Sequence, residues 1–393
     1  MGSDGRTMPE PRACIAGIFE HPTRRADDKS LAQLHAEVAA GALRDAGLSH
    51  ADVDGYFCAG DAPGLGPLSM VDYLGLRVRH VDTTDTGGSA YLVHVAHAAE
   101  AIAARKCNVA LITLAGRPLA EGLGSGLGLR LDNMPDVPFE APYGTAVLNL
   151  YAMVAARHMH EFGTTSEQLA WIKVAASHHA QHNPNAVLRK VLTVEEVLAS
   201  PMVADPLRKH DCCVINDGGG ALVVTRPEIA RSLGRPVVSL RGTGTALKNQ
   251  AGGRVDLTYS AGRFSGAAAF AEAGVTPADI RYASIYDSFT ITVLVTLEDL
   301  GFCEKGRGGD FVADGNLIAG VGRLAFNTDG GGLCSNHPGN RGGMTKVIEA
   351  VRQLRGEAHP AVQVPDLHLA LAHGTGGSLG TRHGSATLIL ERA

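Results

Sequence analysis

Residues 81–90 read V-D-T-T-D-T-G-G-S-A, and the rest of the chain takes its place from how this stretch folds. An apolar, β-prone segment leads in, Gly87 and Gly88 bend the chain, and residues 89–105 follow without Gly or Pro, with Ser89 at the position that caps a helix. The expected product is a strand, a tight loop and a helix N-terminus. Such a junction aims backbone N–H groups and the positive end of a helix dipole at one point, which suits a developing oxyanion or an activated nucleophile. The loop offers Thr83, Thr84, Asp85, Thr86 and Ser89, but no cysteine.

Composition bounds the rest. At 393 residues, 45% hydrophobic and 19% charged, the chain can bury one large core or two medium ones. A net charge of −5, with no Lys/Arg run, argues against nucleic acid as a partner. No apolar run approaches the roughly 20 residues of a membrane span, and residues 1–12 lack the apolar segment of a signal peptide, so a cytoplasmic protein is expected. Seven cysteines, an odd number without a C-x-x-C pair, fit reduced thiols better than disulfides or a zinc site. His178 and His182 have the i, i+4 spacing of zinc ligands but lack an acidic or thiol neighbour, and no metal is expected.

Working outward, strand and helix signals alternate. Residues 14–20 read as a buried strand, 30–46 as an amphipathic helix, 53–60 as the next strand, and 108–116 as an apolar run typical of a parallel strand covered on both faces. The rhythm breaks from Arg117 to Asp217, where a Gly-rich run (residues 122–128, read as a mobile flap), a Pro-rich turn (Pro135, Pro138, Pro142) and two helical stretches (143–162 and 166–182) intervene. It resumes at 221–225 and 236–241.

An internal repeat explains the rhythm. A-G-L-S-H-A-D-V at 46–53 returns as A-G-V-T-P-A-D-I at 273–280, T-D-T-G-G at 84–88 as T-D-G-G-G at 328–332, and V-A-L-I-T at 109–113 as L-A-L-A-H at 369–373. The expected architecture is α/β with two duplicated βαβ-type halves. One half comprises residues 13–116 with 218–235, the other 236–393, and the 117–217 insertion sits in the first. Ligands sit outside the carboxyl ends of strands in such sheets. Both Thr-Asp-Gly loops and the strand end at His373 would then face one crevice.

With these features the sequence resembles the thiolase superfamily, specifically the sterol-carrier-protein-type thiolases and lipid-transfer-protein relatives. The resemblance rests on the duplicated plan, Y-D-S-F at 286–289, G-G-L-C-S-N-H-P at 331–338, H-G-T-G-G at 373–377 and D-C-C-V-I-N-D-G at 211–218. It implies a thiolase-like fold and an acyl-CoA thioester as substrate, with no metal or redox cofactor. It also implies a homodimer joined near the first loop, and a small partner subunit with an OB-fold and zinc ribbon. Thr84 stands at the nucleophilic cysteine of this family, in a loop with Asp85, Gly87 and Gly88. Tyr286 replaces the Asn or His of the N-E-x-F or H-D-x-F motif and is followed by Asp287. His337 matches the G-H-P histidine with Asn336 in place of Gly, and His373 matches the late C-x-G-G cysteine, framed by Gly376 and Gly377.

A threonine hydroxyl ionises far less readily than a thiol, so ordinary thiolysis is not expected. A retro-aldol cleavage of a β-hydroxyacyl-CoA needs no covalent acyl-enzyme. Relatives acting as steroid side-chain aldolases lack the cysteine and use tyrosines, so the resemblance implies catalysis by Tyr286 on the β-hydroxyl, His337 on the enolate oxygen and His373 at Cα. Two alternatives stand beside it: an acyltransferase using Thr84, Ser89 or Cys334 as an unusual nucleophile, and a non-catalytic scaffold subunit. CoA-contacting residues are not assigned by any motif.

Overall fold

The computed structural model describes residues 11–122, 139, 141–143, 146–249, 253–338, 342–380 and 382–393. Residues 123–138, which hold most of the Gly-rich run and two of the three prolines, lie outside them.

The first half contains β1 (Cys14–Glu20), α1 (Leu31–Ala46), β2 (Gly55–Phe57), α2 (Pro67–Leu74), β3 (His80–Asp82), α3 (Ala90–Ala103) and β4 (Val109–Gly116). Helices α4 (Val147–Phe162) and α5 (Ser166–Ala180) and a hairpin of β5 (Met202–Ala204) and β6 (Leu207–Arg208) precede β7 (Gly218–Thr225). The second half contains β8 (Val238–Lys248), α6 (Gly262–Ala273), β9 (Tyr282–Ile285), α7 (Thr290–Asp299), β10 (Ala325–Phe326), α8 (Gly331–Cys334), α9 (Gly343–Arg355), β11 (Leu369–Gly377) and β12 (His383–Arg392).

The duplication is written into the sheet. Its order is β10-β9-β11-β12-β8-β1-β7-β4-β2-β3, which reads outward from the central β8–β1 junction as the same sequence of strands on either side. The sense of pairing repeats as well: β2 is parallel to β3 and β4, as β9 is to β10 and β11, while β4–β7–β1 and β11–β12–β8 are antiparallel. A register shift between Ile15 and Gly17 in β1 has its counterpart beside Gly242 in β8. A Cβ at Gly17 would meet the Ala42 carbonyl at 2.3 Å, and one at Gly242 the Ala269 carbonyl at 2.3 Å, so in each half only glycine lets the outer helix cross its strand so closely.

The sequence repeat is a geometric repeat for a stated reason. Gly47 and Gly274 close α1 and α6 in the left-handed conformation, with φ of 70° and 64°. A short 3-10 turn follows each, held by Asp52 accepting from the Ser49 N–H and hydroxyl at 2.8 Å, and by Asp279 accepting from the Thr276 N–H and hydroxyl at 2.8 Å. The A-G-x-[ST]-x-A-D pattern is therefore one helix exit made twice.

Helices α1 and α6 cover the outer faces, whereas α3 and α9 each contact strands of both halves. A helix buried on most sides must be apolar on most sides: eleven of the fourteen residues of α3 (A-Y-L-V-H-V-A-H-A-A-E-A-I-A) are buried, and Glu100 is exposed. Side chains from α3, α9, β1, β4, β7, β11 and β12 form one core between the half-sheets. Helices α4 and α5 join a second core with α6, α7 and β9, so the insertion packs against the second half. Ser89 does not cap α3 as expected. A 3-10 turn, Gly87–Ser89, extends the helix backwards, and the Ser89 hydroxyl donates to the Thr86 carbonyl at 2.8 Å. No helix of the described residues is long and apolar enough to cross a membrane.

Candidate active site

Tyr286 leaves the end of β9 on the side of the sheet that carries Tyr282 into the central core, and its N–H donates to the His373 carbonyl at 2.9 Å. Its phenol oxygen lies 2.9 Å from His337 Nε2, with the two rings edge to face at 5.4 Å between centroids. Both residues are buried. Burial pushes the Tyr286 phenol well above its ordinary 10 and the His337 imidazole down from 6.5 to about 4. Near neutral pH the pair is a protonated phenol facing a neutral imidazole. The phenol donates to Nε2 when the neutral imidazole carries its proton on Nδ1.

Glycines form the walls around this pair. A Cβ at Gly88, in the first turn before α3, would stand 2.5 Å from Tyr286 Cε2, 2.7 Å from Cζ and 2.4 Å from the Thr375 carbonyl. At Gly342 it would meet His337 Cδ2 at 3.2 Å and Tyr286 Cε2 at 3.5 Å. At Gly374 it would stand 3.3 Å from the Gly88 carbonyl and 2.7 Å from Leu92. A side chain at position 88 would point into the Tyr286 ring. The tyrosine ring fills that space.

Three expectations are thereby corrected. The Thr84 hydroxyl is engaged within its own loop and not with the pair: it donates to Asp82 Oδ1 at 2.7 Å, and the Thr84 carbonyl accepts from His94 at 2.9 Å. Asp85 accepts from the Gly87 N–H at 3.0 Å and shapes the same turn. His373 does not join Tyr286 and His337. Side chains alternate along β11, so Gly374 faces α3 while His373 faces α6 and β12, where Nδ1 lies 2.8 Å from the Thr387 hydroxyl and a Cβ at Gly262 would stand 3.2 Å from Cε1. Burial lowers its imidazole to about 3. Cys334, the third candidate nucleophile, lies in the apolar second core, and burial raises its thiol.

The other expected residues hold the site together. Asp287 accepts from the Gly332 N–H at 2.8 Å, the Leu333 N–H at 3.0 Å and Lys346 Nζ at 2.8 Å, fixing the loop that carries His337. Gly87 and Gly376 let the first loop and the end of β11 touch backbone to backbone, since a Cβ at Gly87 would meet Gly376 Cα at 3.0 Å. Asn336 bonds to Glu20 and Asn216 at 2.7 Å each. The Gly377 carbonyl accepts from the Tyr151 phenol at 3.4 Å.

Sequence reasoning did not single out Asn216, which accepts the His337 N–H at 2.6 Å, nor Tyr151, whose ring packs at a tilt of 32° against Phe289 with centroids 4.6 Å apart. The D-C-C-V-I-N-D-G segment was a signal for Asn216; nothing in the sequence marks Tyr151. Among the described residues no three His, Cys, Asp or Glu side chains converge as metal ligands, and His182 stacks on His359 at 4.8 Å.

A family model described as "Thiolase C-terminal domain-like" matches residues 244–392. A 17-hydroxy-3-oxo-4-pregnene-20-carboxyl-CoA lyase of Mycobacterium tuberculosis is 35% identical over 395 residues, covering 93% of this chain and 97% of the relative. An acetyl-CoA acetyltransferase of Methanothermobacter thermautotrophicus is 34% identical over 382 residues, with coverage of 93% and 97%. Among solved structures, one described as "Ltp2-ChsH2(DUF35) aldolase" superposes with a TM-score of 0.86 at 32% identity, covering 97% of this chain and 98% of that one.

Proposed function

The chain belongs to the thiolase superfamily, in its sterol-carrier-protein-type branch, and on that premise we propose that it is a carbon–carbon lyase. Its substrate is a β-hydroxyacyl-CoA, cleaved by retro-aldol reaction to a carbonyl compound and a shortened acyl-CoA. The observation that carries this reading is the exchange at the centre of the site: glycine at 88, where a side chain would reach the pair, and the Tyr286–His337 hydrogen bond in the space so freed.

The β-hydroxyl gives its proton to the Tyr286 oxygen while the Tyr286 proton passes to His337 Nε2. The oxygen lone pair closes the carbonyl, and the Cα–Cβ bond pair moves into the thioester as an enolate. The proton held on His337 then returns through Tyr286 to Cα, so no proton is gained or lost overall. His337 acts as a proton store behind the phenol. The enolate is stabilised by the positive end of α3, whose first turn lies against Tyr286. A buried imidazole that resists protonation makes a strong acid once charged, which favours return of the proton.

Acyl transfer of the thiolase type is the second reading, favoured by the acetyltransferase relative. Neither Thr84 nor Cys334 is hydrogen-bonded to the Tyr286–His337 pair. The apolar helices α4 and α5 suit a hydrophobic, ring-bearing acyl group, and the substrate in the lyase relative's name is of this class. A homodimer is proposed on the edge strand β3, where Val81 is exposed, as are Leu65, Leu68 and Tyr73 in the segment that precedes it. An additional partner subunit is proposed on the two-component aldolase neighbour. A cytoplasmic location is proposed on the seven free thiols.

The test is Tyr286→Phe with 17-hydroxy-3-oxo-4-pregnene-20-carboxyl-CoA as probe. Carbonyl release should fall about 10²- to 10⁴-fold with little change in KM. Near-normal turnover would remove the role of Tyr286.

A further inference from the structure

His337 is useful only if Nε2 is held at the phenol, and its backbone is pinned by a side chain from a distant part of the chain. Asn216, fully buried just before β7, accepts the His337 N–H at 2.6 Å. A side-chain amide could present either end to that N–H. The other end of Asn216 settles which, because its Nδ2 donates to the Asp217 carbonyl at 2.8 Å and to Asn336 Oδ1 at 2.7 Å. Asn336 is itself oriented, since its Nδ2 donates to Glu20 Oε1 at 2.7 Å. Glu20 is an acceptor with no ambiguity: burial pushes its carboxyl up, but Arg24, Arg352 and the Asn336 donor outweigh this and hold it below the ordinary range. The carboxylate therefore sets the direction of Asn336, Asn336 sets Asn216, and Asn216 presents an oxygen to His337. Reversing either amide would bring donor against donor or acceptor against acceptor in a buried site and leave those groups unsatisfied.

We propose that Asn216, oriented through Asn336 by Glu20, is the positioning residue for His337, and that Asn336 exists to pass this orientation across the interface between the two halves. The chain joins the end of β1, the segment before β7 and the His337 loop, three regions remote in sequence. Glycine at position 336 would break it. The effect on turnover rests on the catalytic reading of the Tyr286–His337 pair; the effect on the imidazole does not.

The experiment compares Asn216→Asp, Asn336→Gly and Glu20→Gln with the full-length wild type. Asn216→Asp keeps an acceptor for the His337 N–H but turns an acceptor toward Asn336 Oδ1; Glu20→Gln keeps an oxygen for Asn336 but adds a donor end. Two readouts are taken: turnover of 17-hydroxy-3-oxo-4-pregnene-20-carboxyl-CoA, and the ¹⁵N signal of the His337 imidazole, identified by its loss in His337→Ala. The first two variants should lower kcat on the order of ten- to a hundredfold with KM changed less than about twofold, and Glu20→Gln less. All three should move the His337 Nε2 signal, and in a His337→Ala background Asn216→Asp should cost nothing further in kcat. Unmoved His337 signals in the folded variants would overturn the proposal, as would an undiminished loss in the His337→Ala background. If Asn216→Asp does not fold, Asn336→Gly and Glu20→Gln decide by the same readouts. Should His337→Ala retain full turnover, the catalytic reading fails, and the imidazole signal alone decides the positioning role.

Discussion

Replacing Gly88 by alanine adds one methyl group where the site has no room. Its carbon would sit 2.5 Å from Tyr286 Cε2 and 2.7 Å from Cζ, against an ordinary carbon–carbon separation of about 3.5–4.0 Å. On the other side stands the Thr375 carbonyl at 2.4 Å, part of a sheet strand that cannot yield. The ring must therefore move by roughly an ångström, which takes the phenol from 2.9 Å to beyond hydrogen-bond reach of His337. Overpacking of this kind costs about 1–3 kcal/mol of stability. Losing the proton path costs about 10²- to 10⁴-fold in turnover. Urea denaturation and cleavage of the steroid thioester probe measure the two effects. The clash also predicts its own relief: in a Tyr286→Ala background the same substitution should cost at least about 1 kcal/mol less, because the obstructing ring is gone. Gly88→Ala that keeps wild-type stability and turnover, with no coupling to position 286, would refute the argument that Tyr286 needs the space left by glycine at 88.

Other outcomes follow from buried charges. Burial lowers His35, His94, His179 and His337 from 6.5 to about 4, and His373 and His383 to about 3. Their folded-state values lie below the unfolded ones, so the unfolded chain takes up protons first. This contribution to stability is intact above about pH 6.5 and shrinks as pH falls toward 4, by up to about 3 kcal/mol for each group. Denaturant midpoints measured in steps between neutral and mildly acidic pH should fall steeply, and a flat profile would contradict the burial of these rings. Asp287→Ala leaves Lys346, whose side chain is 1% exposed, without its carboxylate and should destabilise by about 3–5 kcal/mol. A loss under about 1 kcal/mol would mean that this ion pair does not hold the His337 loop.

Much of the fold could be read in advance because duplication leaves marks that are local and chemical. The Gly47 and Gly274 helix exits, each followed by an aspartate that closes a turn on Ser49 or Thr276, are short-range features and survive in the sequence. The apolar runs of β4 and β11 report burial on both faces. The site was legible only in part, because function there depends on facing. Thr84 and Gly88 share a loop, and His373 and Gly374 are neighbours on one strand, yet one residue along a strand reverses the face. Motif matching aligned the loops by residue type and favoured the reactive side chains; the inward positions are the glycines. Tyr286 and His337, which the structure brings together, each sit in a distinctive sequence frame, Y-D-S-F and N-H-P. Asn216 and Glu20 act across the fold, through hydrogen bonds between segments more than a hundred residues apart, and no local pattern carries such information. Ser89 departs from its expected capping role for a related reason: its hydroxyl donates to the Thr86 carbonyl in a 3-10 turn that extends the helix.

The central claim is that proton transfer through Tyr286 and His337 replaces a covalent acyl-enzyme. It is tested most directly by incubating the protein with 17-hydroxy-3-oxo-4-pregnene-20-carboxyl-CoA, then resolving small-molecule products and intact protein mass in one quenched sample. Retro-aldol cleavage predicts a ring ketone and propionyl-CoA in equal amounts, with the protein mass unchanged throughout turnover. An acylated protein, or release of free CoA without the ketone, would contradict it.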